Sequence, residues 1–98
     1  MPRLRYTVSA REDIKRIAAY IARDKPRAAR QWSHALRARC RVLASHPETG
    51  DLRSEFANEI RSAYFGAYVI FFRDAGSFTD ILRIVRGDQD IRKRDVLG

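Results

Sequence analysis

The chain has 98 residues, 45% of them apolar, and a formal net charge of +8. That length suits one domain spanning residues 1–98 with one core, and that apolar content excludes a disordered chain. A single cysteine, Cys40, rules out an intrachain disulfide, and with only His34 and His46 beside it a Cys/His zinc site lacks ligands.

No metal and no cofactor are expected. The basic residues are 17 Arg and 3 Lys. A guanidinium is a planar fork that fits carboxylate and phosphate, so the charge balance points to an acidic protein or a nucleic acid as partner. Coding bias accounts for the Arg/Lys ratio equally well, but not for the net charge. The start, "MPRLRYTVSARED", lacks the apolar stretch of a signal peptide, and no segment approaches ~18 apolar residues. The expected location is the cytoplasm, with no membrane contact.

"RLRYTV" (3–8) alternates, with Leu4, Tyr6 and Val8 on one side, and predicts a short strand with one wet face. Ser9 and Glu12 have capping-box spacing. Ala10, Ile14, Ile17 and Ile21 then recur at helical spacing, predicting an amphipathic helix over about 10–23 with Tyr20 beside its stripe. Pro26 cannot continue that helix but fits the first turn of another. The second helix runs to Ala44, with Ala28, Trp32, Ala35, Leu36, Cys40 and Leu43 as its buried stripe and Arg27, Arg30, Arg37 and Arg41 mainly outside it. The short connection makes the two an antiparallel hairpin.

"SHPETGDLRSEFANE" reads as a loop. "IRSAY" (60–64), "YVIFFR" (68–73) and "FTDILRIV" (78–85) read as three strands joined by short glycine-containing turns. The tail "DQDIRKRDVLG" is a short helix or frayed, and residues 91–98 are a candidate flexible tail. The fold class is therefore α+β: an N-terminal strand, a helical hairpin and a three-stranded antiparallel meander (β-α-α-β-β-β), with the helices on one face. One hairpin covers one face only, yet the last two strands are apolar on both. The second face is thus concave and partly covered, or a binding surface.

Alternation puts Phe78, Leu82 and Ile84 in one row, ended by Arg86, and Thr79, Ile81, Arg83 and Val85 in the other. Arg83 is then expected mid-strand on the face away from the helices, pointing at whatever docks there, with Arg61 able to join it across the sheet and Arg73 at a strand end. The competing reading pairs Arg83 with Asp80 or Glu59. An arginine on an uncovered apolar face is a natural anion site.

"SAREDIKRIAAYIARDKPRAARQW", "LASHPETG", "IRSAYFGAYVIFFR" and "DILRIVRGDQD", in this order, resemble the RelE/ParE superfamily of toxins from bacterial toxin–antitoxin modules, over residues 5 to 92. The features are Asp13, Ile17, Tyr20 and Ile21 in the first helix, the "HPxxG" after the second, the run from Arg61 to Phe72, and the closing "ILRIVRG". The resemblance implies one of two activities: RelE-like members cut messenger RNA in the ribosome, and ParE-like members poison DNA gyrase by binding. RNA cleavage wants a base, an acid and cations on the phosphate. RelE-like ribonucleases carry basic residues after the last strand and a Tyr or His beyond. This chain has Asp88 and Asp90 there, and no Tyr or His after Tyr68. His46 reads as structural and His34 as solvated. The ParE-like reading is therefore preferred, with no catalytic residue. The RelE-like alternative would use Arg61, Arg83 and Arg86.

The resemblance further implies a cognate ParD-like antitoxin whose acidic C-terminal segment folds onto the toxin as a helix or added strand. The expected antitoxin contacts are Arg61, Arg73, Arg83 and Arg86. The expected gyrase contacts are Ile91, Arg92, Lys93 and Arg94, with Val96 and Leu97 beside them. A hetero-oligomer with the antitoxin is implied, with DNA contacted only through the antitoxin.

Overall fold

The computed structural model describes residues 3–97. The elements run β1 (Leu4–Tyr6), α1 (Val8–Ala22), α2 (Pro26–Ser45), β2 (Asp51–Leu52), β3 (Ile60–Phe65), β4 (Tyr68–Asp74), β5 (Thr79–Arg86) and α3 (Lys93–Leu97). The expected order holds, with β2 added inside the segment read as loop; in the tail, the short helix of the two alternatives is found as α3. Gly98 lies outside the described residues. The sheet order is β1-β5-β4-β3-β2. β3, β4 and β5 form the antiparallel meander, but β1 pairs with β5 in parallel, so the sheet is mixed.

Helix α1 starts earlier than the Ser9–Glu12 spacing predicts. Thr7 is its N-cap: the Oγ1 accepts from the Ala10 amide at 3.0 Å and donates to the Leu82 carbonyl at 2.9 Å. One hydroxyl thus ends β1's pairing and begins the helix. Ala10, Ile14 and Ile17 are buried as the spacing predicts, and Asp13 is buried among them. On α2, Leu36, Cys40 and Leu43 are buried and Ala28 and Trp32 half-buried; Ala29, outside the expected stripe, is buried, and Ala35, expected in it, is exposed. Burial pushes the Cys40 thiol up to about 11, which leaves it unreactive.

After α2 the "HPxxG" stretch has a steric reason. Pro47 opens a single 3-10 turn, Pro47–Thr49. A Cβ on Gly50 would stand 2.5 Å from the Phe72 ring, so only glycine passes there. The Gly50 carbonyl then accepts from Arg61 Nη1 at 3.0 Å.

The two sheet faces carry separate clusters. Between helices and sheet lie Ile14, Ile17, Leu36, Cys40, Leu43, Ile70, Phe72, Ile81 and Ile84. On the opposite face lie Phe56, Ile60, Val69, Phe71, Leu82, Val85 and Val96. Of the two readings of the second face, the open binding surface is corrected and the covered one found: the segment between β2 and β3 and the short α3 roof it. Phe56 is 5% exposed and meets Phe71 edge-on at 5.6 Å. The Arg53 guanidinium lies over both rings, at 5.0 and 5.3 Å. Water contact with a two-sided apolar sheet costs about 25 cal/mol per Å², which is why the loop folds back.

The face assignment along β5 is also corrected. Phe71 pairs with Arg83 but Phe72 pairs with Ile81, so Leu82 is one residue extra. Such a bulge resets the alternation. Ile81 and Ile84 consequently share the helix side, and Leu82 and Val85 share the other.

If the roof is integral to the core, Phe56→Ala should cost about 3 kcal/mol in denaturant unfolding, whereas an uncovered face would make the substitution nearly silent.

Candidate functional site

Arg83 is the residue the sequence singles out, and its partner comes from α1. Asp13, 1% exposed, receives Arg83 Nε at 2.7 Å and Nη2 at 3.0 Å in a bidentate pair. The same carboxylate accepts from the Ile84 amide at 2.9 Å and from Arg16 Nη2 at 2.9 Å. Arg83 Nη1 donates to the Asp95 carbonyl on α3. The Asp13 hydrogen bonds, first among the causes, raise the Arg83 pKa above its ordinary value.

The expectation that Arg83 points away from the helices into a docked ligand is thus corrected. The carboxylates offered as its internal partners are taken as well. Asp80 binds Arg5 at 2.7 Å, and Glu59 stands 3.9 Å from Arg73. Arg61 is in register with Phe72, not with Arg83, and is held by Gly50. Arg73 keeps its Nε shielded and without a hydrogen-bond partner. The four arginines therefore do not converge on one site.

A different set does converge. Among the described residues, no strand lies on the outer side of β5 beyond Ile81, and the space between it and α1 is a groove of about 420 Å³. Its rim carries Arg16 and Tyr20 from α1, Tyr68 from β4, Arg83 and Arg86 from β5, and Gln89. Its floor includes Ile17 and Ile84. Arg86 is half exposed, lies 5.8 Å over the Tyr68 ring and pairs with Asp88 at 3.3 Å. That pairing raises the Arg86 pKa. Tyr20 is 65% exposed at the edge of this groove.

Arg16, Tyr20 and Tyr68 were not legible as site residues. One signal could have found Asp13: it falls on the buried stripe of α1, and a carboxylate there demands a cation. In the C-terminal segment Arg92, Lys93 and Arg94 are exposed, and Ile91 is half-buried against the second cluster. Val96 is 6% exposed beneath α3. It belongs to the core, which corrects its expected place among surface contacts. Among the described residues no group of three His, Cys, Asp or Glu is placed to hold a metal ion, and no helix is long and apolar enough to cross a membrane.

Removing a buried carboxylate leaves the Ile84 amide and a guanidinium unmatched. Asp13→Ala should cost about 3–5 kcal/mol in denaturant unfolding, and Asp13→Asn, which keeps an acceptor for Ile84, should cost clearly less. Equal costs would mean that the backbone bond contributes nothing.

Comparison with known proteins follows the same lines. The chain is similar in fold to a chain of the chromosomal ParDE TA system from P. aeruginosa, with a TM-score of 0.74 and 22% identity over 88% of this chain and 96% of that one. It is also similar to a chain of the toxin–antitoxin complex RelBE2 from Mycobacterium tuberculosis, with a TM-score of 0.61 and 26% identity over 88% and 99%. No curated protein sequence matches it. The profile of the "ParE toxin of type II toxin-antitoxin system, parDE" family matches residues 4–91, nearly the whole chain. With the helical hairpin on a five-stranded sheet, this places the chain in the ParE toxin family of type II toxin–antitoxin systems.

Proposed function

We propose that this toxin acts by binding rather than by cutting a bond, that its target in the cytoplasm is DNA gyrase, and that the groove between α1 and β5 seats the acidic C-terminal segment of a ParD-like antitoxin. The observation that carries the reading is the composition of that groove. Its floor is apolar, its rim is cationic through Arg16, Arg83 and Arg86, and Tyr20 and Tyr68 offer broad faces at its mouth. An amphipathic acidic segment matches each part. Of the four arginines expected at the antitoxin, Arg83 and Arg86 line the groove; Arg86 is the more exposed, and Arg83 also holds the wall through Asp13. Arg61 and Arg73, engaged with Gly50 and beside Glu59, lie outside the groove lining.

Binding also fits what the groove does not offer. His34 and His46 do not line it, and His46 stands 3.6 Å from Glu48 after α2. A general base must lie within hydrogen-bond reach of the proton it takes. For the gyrase contact, Arg92, Lys93 and Arg94 form an exposed cationic strip, with Ile91 at its base.

One observation favours a second reading. Tyr68 and Arg86 stand together at the groove with Arg16 and Arg83, a phenol beside cations that would suit RNA cleavage in the manner of RelE-like ribonucleases. Arg61, expected to share that chemistry, is outside the set.

Titrating the cognate antitoxin by calorimetry should show Arg86→Glu weakening binding at least tenfold, about 1.4 kcal/mol. Unchanged affinity removes the groove from the interface. Arg83 is a poor probe for this purpose, because replacing it also strands Asp13.

The purified toxin should inhibit gyrase supercoiling and leave ribosome-bound messenger RNA intact, and Lys93→Glu with Arg94→Glu should relieve the inhibition without lowering the melting temperature. Cleavage of that RNA, lost in Tyr68→Phe and Arg86→Ala, would establish the ribonuclease reading instead.

A further inference from the structure

The groove and the core account for the arginines of the sheet but not for those of α2. Pro26–Ser45 holds Arg27, Arg30, Arg37, Arg39 and Arg41 and no Asp, Glu or Lys in 20 residues. All five arginines are exposed. None takes part in an ion pair among the described residues, whereas Arg5, Arg16, Arg53, Arg73, Arg83, Arg86 and Arg92 all do. This one helix thus carries +5 of the chain's net +8.

The arrangement is ordered. At 100° per residue, Arg27, Arg30, Arg37 and Arg41 fall within an arc of about 80°, and they span roughly 21 Å of helix axis. The buried residues Ala29, Leu36, Cys40 and Leu43 lie on the other side. Like charges at i, i+3 and i, i+4 repel and cost helix stability. Four of them in line, with no acid interposed, make a surface whose repulsion a polyanion laid alongside relieves further than dissolved salt does.

We propose that the outer stripe of α2, Arg27, Arg30, Arg37 and Arg41, binds the phosphate backbone of duplex DNA without reading its sequence. Guanidiniums fit phosphate better than ammonium groups do, and the helix uses arginine alone. A helix with its side chains is about 10–12 Å across, the width of the B-DNA major groove, so α2 can lie at the groove mouth with its arginines on the bordering phosphates. The major groove of an RNA duplex is too narrow and deep for this. Single strands are held by exposed aromatic platforms, and α2's one aromatic, Trp32, is turned inward against Phe65 and Tyr68. The antitoxin would then not be the only source of DNA contact in the complex. This inference does not depend on the identity of the target or on the α1–β5 groove.

The test is fluorescence anisotropy of a labelled 20-base-pair duplex of arbitrary sequence with the full chain, at several salt concentrations. Four phosphate contacts give a slope of log K against log salt of about −3.6. Replacing Arg30, Arg37 and Arg41 by Gln should lower affinity at least tenfold at 0.1 M salt and reduce the slope to about −0.9. Replacing Arg3, Arg11 and Lys15 by Gln changes net charge equally and should leave both values nearly unchanged, with circular dichroism confirming the fold of each variant. Three results overturn the proposal: no binding at 0.05 M salt, equal losses in the two variants, or an RNA duplex or poly-glutamate of matched charge binding as tightly as the DNA.

Discussion

A strand that loses its neighbour partway along must find other partners for its amides and carbonyls, and β5 finds them at Thr7 and Asp13. β1 accompanies it only to Ile81. Past that point the Leu82 carbonyl is met by the Thr7 hydroxyl and the Ile84 amide by the Asp13 carboxylate. A carboxylate in that position is sealed from water and cannot remain charged alone, so it recruits Arg83 and Arg16. The helix α1 therefore acts as the sheet's missing edge, through side chains instead of a backbone ladder. Apolar residues of similar volume could fill the same space with equal stability. They could not bond the Ile84 amide, and they would not fix where α1 sits along β5. The pair also reaches α3 through the Asp95 carbonyl, so one carboxylate aligns the hairpin, the sheet and the roof of the second core.

That alignment makes the groove. Because Asp13 is committed to the wall at Ile84, α1 stands off from β5 beyond it, and the strand end with Arg86 is left facing Tyr20 across an open space. Had β1 continued alongside β5, a backbone ladder would fill it. The rim is cationic for the same reason: Arg16 and Arg83 are drawn there by Asp13, and both keep guanidinium surface toward the cleft. A structural requirement at the edge of a sheet is thereby turned into a charged mouth beside an apolar floor, which is what recognition of an acidic amphipathic segment needs.

Much of this fold was legible and the misreadings share a cause. Helical periodicity located both long helices because it is set by residues three and four apart, and Pro26 and the turn glycines marked the breaks. The faces of Ile81 and Leu82 were misassigned because alternation counts locally, and the extra residue at Leu82 breaks the phase between them and Ile84–Val85. The roof over the second face was missed because Phe56 sits in a segment rich in turn residues, where a lone aromatic gives no period. The partner of Arg83 was missed because it lies 70 residues away in sequence. Only the presence of a carboxylate on an apolar helical stripe announced it. Tyr20 and Tyr68 each looked ordinary, and only the tertiary fold sets them at one cleft.

The arginines divide into two populations by what the fold asks of them. Most of those on or beside the sheet are neutralised: Arg5 by Asp80, Arg83 by Asp13, Arg53 by Glu55 and by two aromatic rings, while Arg61 is held by the Gly50 carbonyl. Their charge is local and satisfied, and removing one would be felt first in stability. Those on α2 have no such partner among the described residues. Arg37, 5.2 Å over the Tyr6 ring, has the nearest thing to one. An unpaired charge on a helix surface adds nothing to the core, but it adds to the field that a charged partner meets on approach. Beyond a Debye length of about 8 Å in physiological salt, isolated surface charges are screened, whereas a row of them acts on any polyanion that lies alongside. The net charge of the chain is therefore not a uniform coat. The sheet consumes its arginines in holding itself together, and the excess is concentrated on a helix whose buried side alone is needed for folding.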